Sequence, residues 1–266
     1  MYKKIKKILL KKNKSQIVSL TAYSKTMALI LDKFCDIILV GDSLANVLYG
    51  HKNTHKINLD TIIQHSLSVR QGVKKSLLVV DMPKGTYDDP FSAEKNAKKI
   101  ISKTGCDAVK LENNKNNYKI IKKLINKKIP VMGHIGYTPQ YKSKFKIEGQ
   151  TKAETERLIK EAKLIEKAGA FSIVLECLSP HSAKIISKKL KIPTIGIGSS
   201  SHCDGQILVT DDMLGLSGFY PKFVKKYANL NRTIEKAVKK YTREVKLKKF
   251  PSKNNFLNGP KFRQKN

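Results

Sequence analysis

Six short apolar runs in this chain end on residues able to do chemistry. Asp42 and Ser43 follow IILVG, and Asp81 follows LLVV. Lys110 and Glu112 close AVKLE, His134 follows PVMG, Glu176 follows SIVL, and Ser199 and Ser200 follow TIGIG. Acids set against apolar strands are costly to bury unless paired or bound to a metal. Asp42, Asp81 and Glu112 come from three successive runs, and neighbouring carboxylates repel unless a cation joins them. A set of oxygen ligands alone favours a hard ion such as Mg²⁺. Lys110 is two residues from Glu112, so the two share a strand face, where the ammonium could hold a substrate carboxylate. Glu176 stands apart, across the mouth from the three acids, where a carboxylate suits proton transfer with a metal-bound substrate. His134 reads equally as a base or as a hydrogen-bonded structural histidine. Blander roles exist for each: helix capping for Asp42 and Asp81, an ion pair for Lys110, and capping or pairing for Glu176.

The elements that must position these residues alternate. Nearly continuous apolar runs cover 17–22, 36–42, 76–83, 107–112, 129–136, 171–177 and 192–198, with a weaker one at 206–210. Such runs are how strands buried on both faces of a parallel sheet read. Between them lie amphipathic segments at 24–34, 59–73, 91–104, 116–126, 151–168 and 180–190, and another at 233–247 follows the last run. Asp60 sits in the opening turn of one helix and Gly105 just past the end of another, as helix starts and stops prefer. Repeated strand–helix units imply parallel strands with right-handed crossovers. Eight units predict a single-domain (β/α)₈ barrel, a TIM barrel of class α/β, with its site where the strands end. An open doubly wound sheet ranks second, since no G-x-G-x-x-G follows the first strand. The expected division is 1–249, the barrel with an N-terminal helix, and 250–266, an Asn/Lys/Pro-rich extended tail.

Composition bounds the rest. The chain has 266 residues and a net charge of +32. That charge invites a nucleic-acid reading, but only five of its 53 basic residues are Arg, the residue that forks onto phosphate and guanine. The lysines are spread over helical faces and concentrated at the two ends, as on solvated surfaces, and no specific nucleic-acid partner is expected. No apolar run approaches the roughly 20 residues of a membrane span, and the N-terminus lacks a signal-peptide core. Four scattered cysteines without C-x-x-C suggest free thiols in a reducing, cytoplasmic setting.

The motifs together resemble the 3-methyl-2-oxobutanoate (ketopantoate) hydroxymethyltransferase family. They are LTAY (20–23), ILVGDSL (38–44), Gly50 with His51, VVDMP (79–83), AVKLE (108–112), PVMGHIGYTPQ (130–140), VLEC (174–177), IGIG (195–198), CDGQILV (203–209) and PKFVKKY (221–227), in family order across about 16–250. The resemblance implies a (β/α)₈ barrel that binds one Mg²⁺ per subunit. It implies transfer of the one-carbon unit of 5,10-methylenetetrahydrofolate to 3-methyl-2-oxobutanoate, a 2-oxo acid, giving 2-dehydropantoate for pantothenate and coenzyme A. It implies Asp42, Asp81 and Glu112 at the metal, Asp42, Ser43, Asp81 and Lys110 at the substrate, and Glu176 as proton acceptor. It also implies a homo-oligomer, a decamer in the family. The chain departs from the pattern at Ser24, Ala45, Lys84 and 113–114, and in a shortened loop after Gln140. A lyase of the related phosphoenolpyruvate-handling barrels shares the strand-end acids and Mg²⁺, but the GHIGYTPQ and CDGQ segments speak against it.

Overall fold

A computed structural model of the chain describes residues 2–114, 117–142, 144–218 and 220–256. The strands are β1 (Ile17–Thr21), β2 (Ile37–Val40), β3 (Leu77–Asp81), β4 (Ala108–Lys110), β5 (Val131–Gly136), β6 (Ser172–Glu176), β7 (Thr194–Ile197) and β8 (Gly205–Leu208). All pair in parallel in chain order, and β8 closes on β1, so the barrel is complete. The weak eighth run is therefore a strand, although Thr210 opens a helix instead of extending it.

Helices lie between most strands: α2 (Lys25–Leu31), α3 (Leu44–Val47), α4 (Leu59–Arg70), α5 (Pro90–Thr104), α6 (Asn117–Asn126), α7 (Lys152–Lys167) and α8 (Pro180–Lys189). Ser24, Asn58, Asp89, Thr151 and Ser179 cap five of them with side-chain oxygens, each satisfying a backbone N–H the first turn leaves open. Two departures from strict alternation stand out. No helix separates β7 from β8; residues 198–204 make the link as an irregular turn, and the two strands share only two register pairs. After β8 comes the single turn α9 (Thr210–Met213), followed in chain order by α10 (Leu230–Lys246). The start expected near 233 falls earlier because Asn229 caps the helix.

An N-terminal helix, α1 (Tyr2–Leu10), buries Ile5 and Ile8 among the barrel-interior residues Ile17, Ile37 and Leu77. Its lysines and those just after it meet aspartates that precede strands: Lys4–Asp107 at 3.4 Å, Lys11–Asp36 at 2.7 Å and Lys12–Asp204 at 2.8 Å. Part of the N-terminal charge thus latches a plug onto the bottom of the barrel. It is not only the solvated face that composition suggests. A second cluster, with Ile38, Val40, Leu78 and Val80, packs the outer faces of the strands against the helices. Residues 250–256 of the expected tail run from α10 through a 3-10 turn at Lys253–Asn255, and residues 257–266 lie outside the described residues. Among the described residues no helix is long and apolar enough to cross a membrane. All four cysteines are free and buried.

Candidate active site

Strand register decides what meets at the upper end of the barrel. Asp81, the last residue of β3, sits directly beside Lys110, the last of β4. Lys110 Nζ accordingly donates to Asp81 Oδ1 at 2.7 Å. One turn beyond β2, the Asp42 backbone N–H donates to the other Asp81 oxygen at 3.1 Å. Gly41 leaves room for Ser43, because a Cβ there would stand 2.9 Å from Ser43 Oγ. Ser43 Oγ in turn shares a hydrogen bond of 2.8 Å with Tyr23 Oη. Neither Asp42 nor Asp81 caps a helix: Ser43 holds the cap position of α3 without a side-chain bond. The ion pair weighed for Lys110 does exist, at the cavity wall.

Glu112 emerges two residues past β4 and is 1 % exposed. His134 points inward from β5, with Nδ1 3.8 Å from Glu112 Oε1 and Nε2 3.2 Å from Glu176 Oε2. It therefore lies between the two glutamates, which no local sequence signal shows. Neither ring nitrogen has a hydrogen-bond partner among the described residues. Glu176 ends β6, level with Gly136 of β5. Gly136 has φ +101°, and a Cβ there would run into the Glu176 carbonyl. The next residue, Cys177, takes φ 52°, a costly conformation for a non-glycine residue and one that clusters at functional sites.

These side chains line one cavity of about 490 Å³, with Leu39, Val174 and Ile207 at its floor and Lys52, His55 and Phe223 toward the rim. Its electrostatics are those of a dry, crowded acid cluster. Burial first, and then the Asp81 charge, push the Asp42 carboxyl up to about 7. Glu112 is held well above its ordinary range by burial and by Asp42. Burial raises Glu176 to about 7. Burial would strip the Lys110 proton, but Asp81, Asp42 and Glu112 outweigh it and keep the ammonium charged. Burial, assisted by Lys110, keeps His134 neutral. Glu176 is the acid most open to the cavity: its side chain is 19 % exposed, against 4 % for Asp81 and 1 % for Glu112.

Two polar residues without an expected role complete the arrangement. Gln140, 1 % exposed, touches both Asp42 and Glu112, and Tyr87 holds Gln140. The only sequence signal was the TPQ of the 130–140 motif, which names no partner.

Four acids around one lysine suit a hard cation. Among the described residues no three His, Cys, Asp or Glu side chains stand ready as a cage. The donor chemistry nevertheless fits Mg²⁺, which binds through one or two carboxylates and completes its shell with water and substrate oxygens. Asp42 and Glu112, each pushed toward protonation by burial first and then by a neighbouring acid, are the carboxylates that a dication would relieve.

A closed parallel barrel with acids at the strand ends defines a class of TIM-barrel enzymes. Solved structures share that fold. A 2,3-dimethylmalate lyase of the PEP mutase/isocitrate lyase superfamily superposes with a TM-score of 0.63 at 13 % identity, covering 96 % of this chain and 88 % of the other. A phosphonopyruvate hydrolase gives 0.63 at 11 % identity over 96 % and 92 %. Sequence narrows the class: residues 3–253 match the ketopantoate hydroxymethyltransferase model, and the chain belongs to that family. A 3-methyl-2-oxobutanoate hydroxymethyltransferase of Pelagibacter ubique is 55 % identical over 95 % of this chain and 98 % of its own. One of Anaplasma marginale is 47 % identical over 95 % and 93 %.

Proposed function

We propose that the cavity converts 3-methyl-2-oxobutanoate and 5,10-methylenetetrahydrofolate to 2-dehydropantoate, the reaction that feeds pantothenate and coenzyme A synthesis. The observation that carries this reading is the Glu176 carboxylate, raised to about 7 and opening onto a cavity that also holds Lys110 and Ser43. A base with a pKa near the working pH combines the right protonation state with useful driving force. Glu176 takes the proton from the carbon next to the ketone. That carbon, now carrying the electron pair, bonds to the methylene carbon offered by the folate; water supplies the hydroxyl oxygen, both C–N bonds to that carbon break, and tetrahydrofolate leaves with the substrate proton and one water proton on its two nitrogens. Lys110 and Ser43 hold the substrate carboxylate, and Asp81 keeps the Lys110 ammonium aimed. His134, neutral, packs beside Glu176 with Nε2 at 3.2 Å and adds no charge.

Asp42, Asp81 and Glu112 would hold Mg²⁺, which supplies positive charge beside the 2-oxo group and so favours its enolised form. The acid-lined cavity supports small-molecule chemistry. The free thiols support a reducing, cytoplasmic setting. Self-association into a homo-oligomer is supported by α10, whose Ile234, Val238, Tyr241 and Val245 form an apolar stripe 43–55 % exposed.

A coupled assay for 2-dehydropantoate, run with and without Mg²⁺ and the folate, tests the reading. Turnover that needs both is the expected result. Turnover without Mg²⁺, or none with both present, overturns it.

A further inference from the structure

Gln140 is buried to 1 %, and its backbone N–H and both ends of its side-chain amide are engaged. Its backbone N–H donates to Glu112 Oε2 at 2.9 Å. Its side-chain Nε2 donates to Asp42 Oδ2 at 2.9 Å and to the Met82 carbonyl at 3.0 Å. Its Oε1 accepts from Tyr87 Oη at 2.5 Å, which fixes which end of the amide faces Asp42. Tyr87 Oη also accepts the Glu112 backbone N–H at 3.3 Å. Outside this ring, the ring of His55 contacts the Pro139 carbonyl, one residue before Gln140, at 3.1 Å. A loop after β5 is thus tied to the turns after β2 and β3 and to the end of β4.

We propose that Gln140, oriented by Tyr87, is a positioning residue that holds the Asp42 and Glu112 carboxylates in one fixed separation for a shared cation. It rests on the reading of the site given under Proposed function. Two features favour a role beyond filling space. The residue bridges two acids from different strands that would otherwise repel and swing apart, its backbone N–H on Glu112 and its side-chain amide on Asp42. It also engages only one oxygen of each, Asp42 Oδ2 and Glu112 Oε2. A neutral donor does this without competing for the cation's charge, as a lysine would. Hydrogen-bond partners of this kind orient ligands, and their loss typically costs about 10–100-fold in metal affinity or activity. Glutamine is also the length that lets one residue donate from backbone and side chain to both acids at once.

The test uses the full chain. Gln140→Met keeps volume and the backbone N–H but deletes the amide, and Tyr87→Phe deletes only the hydroxyl that orients it. Mg²⁺ binding to each protein is read by calorimetry without substrate, beside melting temperature and the Mg²⁺ concentration at half-maximal turnover. The expected result is a roughly 10–100-fold weaker Mg²⁺ affinity for Gln140→Met and a smaller loss of the same sign for Tyr87→Phe. Excess Mg²⁺ should restore most of kcat. A purely structural role would lower the melting temperature and leave the half-saturating Mg²⁺ in place. Wild-type Mg²⁺ affinity in both variants therefore overturns the inference. If Gln140→Met fails to fold, Tyr87→Phe decides alone. A wild-type protein that neither binds Mg²⁺ nor makes product overturns the reading of the site and this inference with it. An active wild type with unaffected variants removes only the inference.

Discussion

The barrel mouth and α10 treat charge in opposite ways. At the mouth, four carboxylates and one ammonium are packed where water is scarce, and three of those acids are displaced far from their ordinary ionisation. On α10 every residue keeps solvent contact; six Lys and Arg face water, and Lys239 and Lys240 pair along the helix with Glu235 and Glu244. Such exposed pairs contribute only about 0.3–0.5 kcal/mol each. A chain of net charge +32 therefore builds its chemistry from acids, and its most visible property says little about its site. What counts is where a charge is dried and what faces it.

The largest effect expected on the mouth is from Glu176→Gln. It keeps the shape, removes the base, and should cut turnover by about 10²–10⁴-fold while 2-oxo acid binding stays nearly intact. Calorimetry beside the rate assay separates the two. Loss of binding and turnover together would make Glu176 a scaffold residue and move the search to His134.

Lys110→Ala comes next. The substrate carboxylate loses a charge-assisted hydrogen bond of about 1.5–3 kcal/mol, so KM for the 2-oxo acid should rise about 10–100-fold. The variant also strands Asp81 in a dry wall, and breaking a buried pair from one side costs about 3–5 kcal/mol. Its melting temperature should drop, unlike that of Lys239→Ala on α10. A lower melting temperature with an unchanged KM would reduce Lys110 to an ion pair.

The pH dependence has a definite sign. Glu176 moves from 4.5 in the unfolded chain to about 7 in the fold. Between those values the folded state keeps a proton that the unfolded state has released. That contribution to stability is whole below about pH 4.5, declines as pH rises, and is gone above about pH 7, a swing of about 3 kcal/mol. With chelator present, the wild type should lose stability relative to Glu176→Gln between pH 5 and 7.5 in thermal melts. Mg²⁺ should offset the loss mainly at the upper end. Meanwhile kcat/KM should climb about tenfold per unit toward pH 7 and then level. A flat difference between the two proteins would place the Glu176 carboxyl in water.

The barrel was legible because its strands are buried on both faces, so 37–40 and 77–81 read as unbroken apolar runs. Asp42, Asp81, Lys110, Glu112 and Glu176 were legible for the converse reason: each is a polar residue where such a run ends. Gln140, Tyr87 and the placement of His134 were not. The groups they meet lie 22–98 residues away in sequence, His134 to Glu112 being the shortest, and are brought together only by strand register and loop closure. The direct β7–β8 link was hidden as well, because a turn of Ser, His and Cys carries no periodicity to read. The lysines of α1 and of the turn after it looked like those of α10 until the fold set three aspartates beside Lys4, Lys11 and Lys12.

The smallest effect on chemistry should come from α10. No residue of α10 lines the cavity, and surface changes usually alter stability by less than about 0.5 kcal/mol. Val238→Asp places a carboxylate in the middle of the stripe formed by Ile234, Tyr241 and Val245. If a second copy covers that stripe, burying an unpaired charge there is unfavourable. The particle mass by light scattering at physiological salt should then fall below that of the wild type, while Mg²⁺-dependent turnover per subunit stays within about twofold, as expected of a surface change away from the site. Ionic strength sharpens the measurement, because mutual repulsion of such basic subunits weakens as salt screens it, and wild-type mass should rise with salt where the variant's does not. An unchanged mass in Val238→Asp would mean that another surface joins the subunits. A lower mass with lost turnover would mean that the mouth depends on its neighbour, and the contrast between the two regions would no longer hold.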